Sequence, residues 1–347
     1  MAMIPFRWEN NIYMELMEEC YGTIDVNIVK YRPFDKKIKY VSVNTLEDLP
    51  SVSRISVVKI FITRVLLVLF CVFRRQKIVW TVHNLSPHSG ENILLSNILK
   101  KIISMCSSKI LIHSRVTMKM LKERKLITDS EKVVYCPIPS YINAYGPQEK
   151  IEAVMNQKKG PLRLLLIGGI SKYKNVDVVM EAIKGFPPED VLLKIRGGGD
   201  EKVVPKIGTT ESIDYEYGYV ANKDIPKLLA SSDIVVTPYS MDSSLNSSAD
   251  VLAFSYGKSV IGVRNGTMQD VINQQCIFPY TYESKEEHIE ILRSMIGKVI
   301  LLHKGDPTLL EKYGQTLKKE INGSANIFEC GKCLKKIFEN SSSKDNS

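Results

Sequence analysis

The sequence predicts an α/β protein of two consecutive units, each a parallel sheet covered by helices. Apolar, β-branched runs alternate with helical patterns along almost the whole chain. The alternation breaks once, at residues 141–161, and then restarts. The length, 347 residues, suits two domains better than one.

In the first unit the strand-like runs are residues 26–29, 38–43, 77–82, 109–112 and 132–135. Only residues 1–6 precede a helical pattern that begins near Asn11, so either the first strand is short or the natural start lies upstream. Residues 55–73 resemble a membrane span, but Lys59 and Arg64 interrupt them and the clean run 65–73 is short for a bilayer. A buried helix is expected there, with Arg74-Arg75 at its end able to touch lipid headgroups. Gly146-Pro147 and Gly160-Pro161 bracket a polar stretch of linker composition. The second unit then shows strand-like runs at 162–167, 191–195, 234–236 and 259–263. After Ser284 the pattern is mostly helical, and the polar residues 340–347 are expected to be disordered. The expected domains are 1–145, 146–324, a helix at 325–339 and a tail at 340–347.

Composition narrows the class. Hydrophobic residues make up 44% and charged residues 24%, as in ordinary globular proteins. The net charge of +9 favours an anionic neighbour: nucleic acid, an anionic membrane face or a phosphorylated substrate. Much of it lies between Lys100 and Lys125, where eight cations face one acid, Glu123. A solvated helical face explains such a run, and no aromatics interleave it for stacking on bases, so nucleic acid is not expected. The seven cysteines form no framework, which fits a reduced, cytoplasmic compartment. Cys330 and Cys333 form a lone CxxC in a helical pattern, better read as helix cysteines than as metal ligands. Residues 1–10 lack the apolar core of a signal peptide.

The most informative stretch is DIVVTPYSMDSSLNSSADVLAFSYGKSVIGV, from Asp233 to Val263. A strand ends in Pro238-Tyr239, a Ser/Asn loop follows, and Ala249, Leu252, Ala253 and Tyr256 share one helical face. Ser and Asn cap helices. A helix start at a strand's carboxyl edge presents free N–H groups and the positive dipole end, where anions bind. An ordinary βαβ unit with a well-capped helix explains the same residues. Upstream, LRLLLIGGISKYKNVDVVMEAI runs a strand into Gly168-Gly169 and then Lys172 and Lys174. Glycines admit a close ligand, and a Lys there reaches a diphosphate. This is neither a Walker loop nor GxGxxG. A tight turn with solvent-facing lysines is the plain alternative. The run Arg196-Gly197-Gly198-Gly199-Asp200 ends the next strand, and all three ends should share one carboxyl edge. In the first unit, VWTVHNLSPHSGEN places His83 and Asn84 at a strand's carboxyl end, with His88 and Glu91 on the loop after it. A His there binds a hydroxyl, positions a phosphate or relays a proton. A purely structural His is the alternative.

Four segments together resemble the GT-B glycosyltransferases, in particular the glycosyltransferase 4-like superfamily of bacterial surface-polysaccharide enzymes: FRWENNIYMELM, WTVHNLSPHSG, LLIGGISKYKNVDVVMEAI and VVTPYSMDSSLNSSADVLAFSYGKSVIG. The resemblance implies two Rossmann-like domains facing across a cleft, with a nucleotide-sugar in the second, an acceptor in the first and a final helix crossing back. It implies that Lys174 neutralises the donor diphosphate, that Asn246, Ser247 and Ser248 cradle its phosphates, and that Gly168 and Gly169 allow close approach. Tyr219 and Val220 match the stretch that lines the base pocket. His83 matches the acceptor-side histidine, with Asn84 and His88 beside it. The leaving group is a nucleoside diphosphate whose charge needs fixed positive potential, so no metal and no cofactor is expected. One departure stands out. The family's two glutamates eight residues apart would fall at Ser244 and Leu252, which are not acidic. Asp242 and Asp250 keep the spacing but sit two residues early, about 200° around a helix. The catalytic base is open among Glu9, His83 and Glu91. The expected activity is hexosyl transfer from a UDP- or GDP-sugar to a saccharide acceptor, lipid-linked through a polyprenyl diphosphate and reached at an anionic membrane face. A non-catalytic partner subunit and a sugar-nucleotide epimerase of the same fold are the alternatives.

Overall fold

The computed structural model describes residues 1–5, 11–50, 52–84, 92–127, 129–142, 144–146, 160–199, 210–241 and 245–339. The chain divides into a unit of Met1–Pro139 joined by the segment from Ala325 onward, and a second unit, Ser140–Ser324. The linker stretch 147–159 and the tail 340–347 lie outside the described residues.

The first unit is built on a six-stranded parallel sheet. Its order is β2 (Val29–Lys30), β1 (Ala2–Ile4), β3 (Tyr40–Asn44), β4 (Lys77–Val82), β5 (Ser107–Ile112) and β6 (Val133–Tyr135). Parallel strands covered on both faces become continuous apolar runs, and Val79, Trp80, Ile110, Leu111 and Ile112 are fully buried. The first strand has only three residues. The expected 26–29 strand shrinks to the two exposed residues of β2.

The helix expected to be buried at 55–73 is α2 (Arg54–Phe73), capped by the Ser53 side chain, which accepts from the Ser56 amide. It is not a core helix: only Val57, Val68 and Cys71 are buried. A helix apolar all round satisfies a core position and a one-sided surface position equally, so its sequence pattern could not separate them. The basic run also differs from expectation at one residue. Lys100, on α3 (Ile93–Cys106), is buried beside Glu47 rather than solvated.

The second unit has the sheet order β12 (Phe278–Tyr280), β11 (Ser259–Val263), β10 (Ile234–Thr237), β7 (Leu162–Ile167), β8 (Val191–Gly197) and β9 (Ile213–Tyr217), all parallel. Counted within the unit this is 6-5-4-1-2-3, the Rossmann order, which reverses between β7 and β10. Its core packs these strands against α5 (Val176–Ile183) and α9 (Lys285–Gly305).

After α10 (Leu309–Ser324), the last helix, α11 (Ile327–Lys335), belongs to the first unit and packs on α1 (Ile12–Gly22). Gly331 makes that contact. A Cβ there would stand 1.9 Å from Thr23 Oγ1 and 3.0 Å from the Cys20 carbonyl. Thr23 Oγ1 is tied down, donating to that same carbonyl at 2.8 Å. Overpacking of this kind costs about 1–3 kcal/mol. Gly331→Ala is therefore expected to lower unfolding stability by that amount and to speed proteolysis after Ser324. Unchanged denaturation and an unchanged cleavage rate would show that α11 does not depend on this contact.

Candidate functional site

The strand order reverses between β7 and β10, and it is beyond the carboxyl ends of strands at such a reversal that open α/β sheets bind ligands. β7 ends at Ile167, and Gly168 follows with a φ of +111° that suits glycine. An added Cβ there would lie 3.2 Å from the Lys174 ammonium. Lys174, in the short 3₁₀ turn Lys172–Lys174, is buried, and its ammonium donates to the Tyr239 hydroxyl at 3.0 Å and sits over that ring at 4.7 Å. Asn175 Nδ2 donates to the Pro238 carbonyl at 2.9 Å, and the Ser240 amide to the Tyr173 carbonyl at 2.7 Å. Three bonds thus join the loops after β7 and β10. The glycine run has a packing reason. Cβ atoms at Gly197 and Gly199 would stand 2.0 and 1.9 Å from the Gly168 and Ile170 carbonyls, so the run admits the Gly168-Gly169 backbone.

After β10 comes α7 (Ser248–Ser255). Ser247 caps it by accepting from the Asp250 amide at 3.1 Å, while its own amide donates to Thr267 Oγ1 at 3.0 Å. Ser247 is thus committed internally. What the helix start offers outward is its first turn, at Ser248 and Ala249, whose amides have no intrahelical acceptor. Beside it stands Asn246. Both polar atoms of its amide are buried without a partner among the described residues. Each such atom costs about 1–3 kcal/mol, so the group is poised for a partner that the described residues do not supply.

Beneath this turn Asp250 is enclosed. Its Oδ2 accepts from Asn265 Nδ2 at 2.7 Å. Asn265 in turn caps α8 (Gly266–Asp270), accepting from the Met268 amide at 3.0 Å. Burial raises the Asp250 carboxyl to about 6, against the pull of Asn265, Thr237, Ser247 and the Lys174 charge. The ammonium is therefore within electrostatic reach of the α7 start. Further along the same edge, at β9, Tyr219 is 68% exposed and donates to Asn222 Oδ1 at 3.3 Å, Val220 is half-buried, and Tyr217 donates to the Gly199 carbonyl at 2.7 Å.

In the first unit the carboxyl ends of β3, β4 and β5 bring together Asn44, His83, Asn84 and His113. His83 Nε2 lies 3.3 Å from Asn44 Oδ1, and Asn84 is buried. Tyr13 stands edge-on to both His83 and His113, at 5.3 and 5.4 Å. His113 is buried, and burial lowers it to about 4. It is neutral at pH 7, with Nδ1 donating to the Cys136 carbonyl at 2.7 Å and Nε2 accepting from the Tyr13 hydroxyl at 2.7 Å. Glu9, His88, Glu91, Asp242 and Ser244 lie outside the described residues. Among those described, no cluster of His, Cys, Asp and Glu has the arrangement of a metal site.

Sequence reasoning missed Tyr239, Asn265 and Thr267 in the second unit and Tyr13, Asn44 and His113 in the first. His113 carried the signal that marked His83, a histidine directly after an apolar strand. The others become partners only through folding.

No family model matches the chain, and no curated protein matches it in sequence. Solved structures do match it in fold. HepE of Anabaena in complex with UDP and glucose shares 11% identity at a TM-score of 0.70, over 99% of each chain. The same protein with UDP-glucose gives 11% and 0.69, over 97% of this chain and 98% of that one. TarM gives 12% identity and 0.60, over 87% of this chain but 55% of its own length. The chain is a two-domain α/β protein with the Rossmann-like sheets of the GT-B fold.

Asp250 makes the site testable by pH. Folded, it holds its proton up to about pH 6; unfolded, near 3.8. Across that window the folded state binds more protons, so this group's contribution falls as pH rises and is level above it. About two units at roughly 1.4 kcal/mol each give ~3 kcal/mol. The stability gap between wild type and Asp250→Asn should therefore drift by about that much between pH 4 and 6, with the variant gaining as pH rises. A gap constant across this range in urea titrations would count against the assignment.

Proposed function

We propose that the chain is a glycosyltransferase moving a hexose from a UDP- or GDP-sugar to a saccharide acceptor. The observation that carries this reading is the buried Lys174 ammonium at the β7/β10 reversal, beside a helix start whose Asn246 amide is unsatisfied. Departure of a nucleoside diphosphate builds charge on phosphate oxygens, and preorganised donors in a water-poor site stabilise that charge. Lys174, the first amides of α7 and the Asn246 side chain are such donors. Gly168 and Gly169 let the diphosphate approach the backbone. Tyr219 and Val220 stand two strands away, about 10 Å, a distance suited to a base and ribose. HepE, the structural neighbour, binds UDP-glucose. On this reading the cation and helix terminus do the work of a metal, and no cofactor enters.

The acceptor belongs at the carboxyl edge of the first sheet. Its neutral groups, Tyr13, Asn44, His83, Asn84 and His113, match sugar hydroxyls. His113 orients; His83, half-buried, is the described candidate for proton transfer, with His88, Glu9 and Glu91 the others. We place the enzyme in the glycosyltransferase 4-like superfamily, acting in the cytoplasm on a lipid-linked acceptor for surface polysaccharide such as lipopolysaccharide or capsule. A second reading, a non-catalytic partner subunit, is favoured by one observation: Leu252 is buried where the family carries a glutamate, and Asp250 is sealed below the surface.

Thermal shift with UDP, GDP and their sugars tests the donor site. A ligand at a hundredfold excess over its Kd adds about 2.7 kcal/mol of stability. Lys174→Ala should weaken that ligand on the order of tenfold to a hundredfold, the size of a charged hydrogen bond. An equal response from the variant would place the donor elsewhere. Release of sugar to an added acceptor by the wild-type chain alone would exclude the partner-subunit reading.

A further inference from the structure

The outward face of α2 carries Ile55, Val58, Ile62, Leu66, Leu69 and Phe73 at successive turns, all exposed. At 1.5 Å per residue this stripe runs about 30 Å. α3 packs against α2 and exposes Leu94, Ile98 and Met105. Phe34, 80% exposed, stands edge-on to Phe70 of α2 at 5.9 Å and extends the stripe. Soluble monomers rarely expose a contiguous apolar surface of this size.

Charge complementarity says what covers it. α2 and α3 contain no Asp or Glu, and their exposed cations are Arg54, Lys59 and Lys101. Exposed Arg75 follows α2. Around Phe34 the segment Lys30–Lys39 carries Arg32, Lys36 and Lys37 exposed and a single acid, Asp35, whose Oδ1 accepts from the Lys37 amide. An apolar stripe set among cations fits an anionic lipid surface.

We propose that the α2–α3 face is a docking surface for an anionic bilayer, with α2 lying in the plane of the interface and Phe34 as a side anchor. α2 does not cross. Its inner face supports β4, and Arg64 at mid-helix donates to the Leu46 and Asp48 carbonyls at 2.5 and 2.7 Å. Pulling the helix into hydrocarbon would strip that guanidinium of both acceptors. The inference rests on the proposed reaction only for its purpose, which is to bring the chain to a lipid-linked acceptor. The surface itself stands without it.

The test is co-sedimentation of the full chain with vesicles of phosphatidylcholine alone or mixed with phosphatidylglycerol. Binding to the mixed vesicles, at least tenfold stronger than to neutral ones and reduced by salt, is expected. Ile62→Glu with Leu66→Glu should abolish it. Arg32→Gln, Lys36→Gln and Lys37→Gln together, on an exposed loop, should weaken it about a hundredfold. Wild-type protein left in the supernatant, or equal binding to both lipids, overturns the proposal. So does a dimer in solution that the Glu variant dissolves, since a second copy would then cover the face. Protein from cells that resists alkaline carbonate and needs detergent would show a crossing helix and overturn it as well. The nucleotide thermal shift of each variant should match wild type, so a failure of vesicle binding is distinguishable from a failure of the donor site.

Discussion

The pairing of β7 with β10 is the constraint on which the second unit's chemistry depends. Its register, Leu164 opposite Ile234, fixes where Gly168 and Lys174 stand relative to Thr237 and Tyr239. Because side chains alternate along a strand, a slip of one residue would turn every one of them to the other face. The amino end holds the register with a fork. Arg163 Nε and Nη2 reach the two oxygens of Asp233 at 2.9 and 2.5 Å, and the Arg163 amide adds a third bond at 2.8 Å. Both side chains are largely shielded, so salt screens the pair weakly. Lys258 is half-buried nearby, donates to the Ser232 carbonyl at 2.7 Å, and is lowered by desolvation to about 8.

The two ends of this seam are satisfied unequally. At the amino end every group just named has its partner. At the carboxyl end the Asn246 amide has none among the described residues, while the Thr237 hydroxyl faces Asp250 and draws its carboxyl down. Gly262 keeps room for that hydroxyl, since a Cβ would stand 2.2 Å from it. The unmet Asn246 amide thus stands beyond the carboxyl end of β10, above a well-tied amino end.

What the sequence made legible follows from which forces are local. The central strands stand out because burial on both faces demands unbroken apolar runs, as in Leu162–Ile167. The edges were missed: β9 exposes Asp214 and Glu216, and β12 carries Pro279, which a sheet tolerates at its edge. Gly168, Lys174 and the Ser247 cap belong to local turn and helix grammar. Tyr239 is 65 residues from Lys174, and Asn265 is 15 from Asp250, so only the fold reveals those partnerships. The exposure of α2 was hidden for a further reason: a sequence records a residue's polarity but not whether anything covers it.

The two units carry the same architecture to opposite electrostatic ends. In the first, burial keeps the His113 imidazole uncharged, and its two bonds fix which nitrogen holds the proton, so Tyr13 must donate to it. That edge presents neutral dipoles in a fixed orientation. In the second, Asp250 at about 6 is ionised at neutral pH, and its charge acts on the Lys174 ammonium from below. The Tyr239 hydroxyl and ring hold the cation in place, and the Asp250 charge lowers its net field. Removing the anion would leave the cation on Tyr239 with a larger net field. A preorganised cation stabilises an anion through its position, so a carboxylate beneath it is compatible with the anion binding proposed for this site.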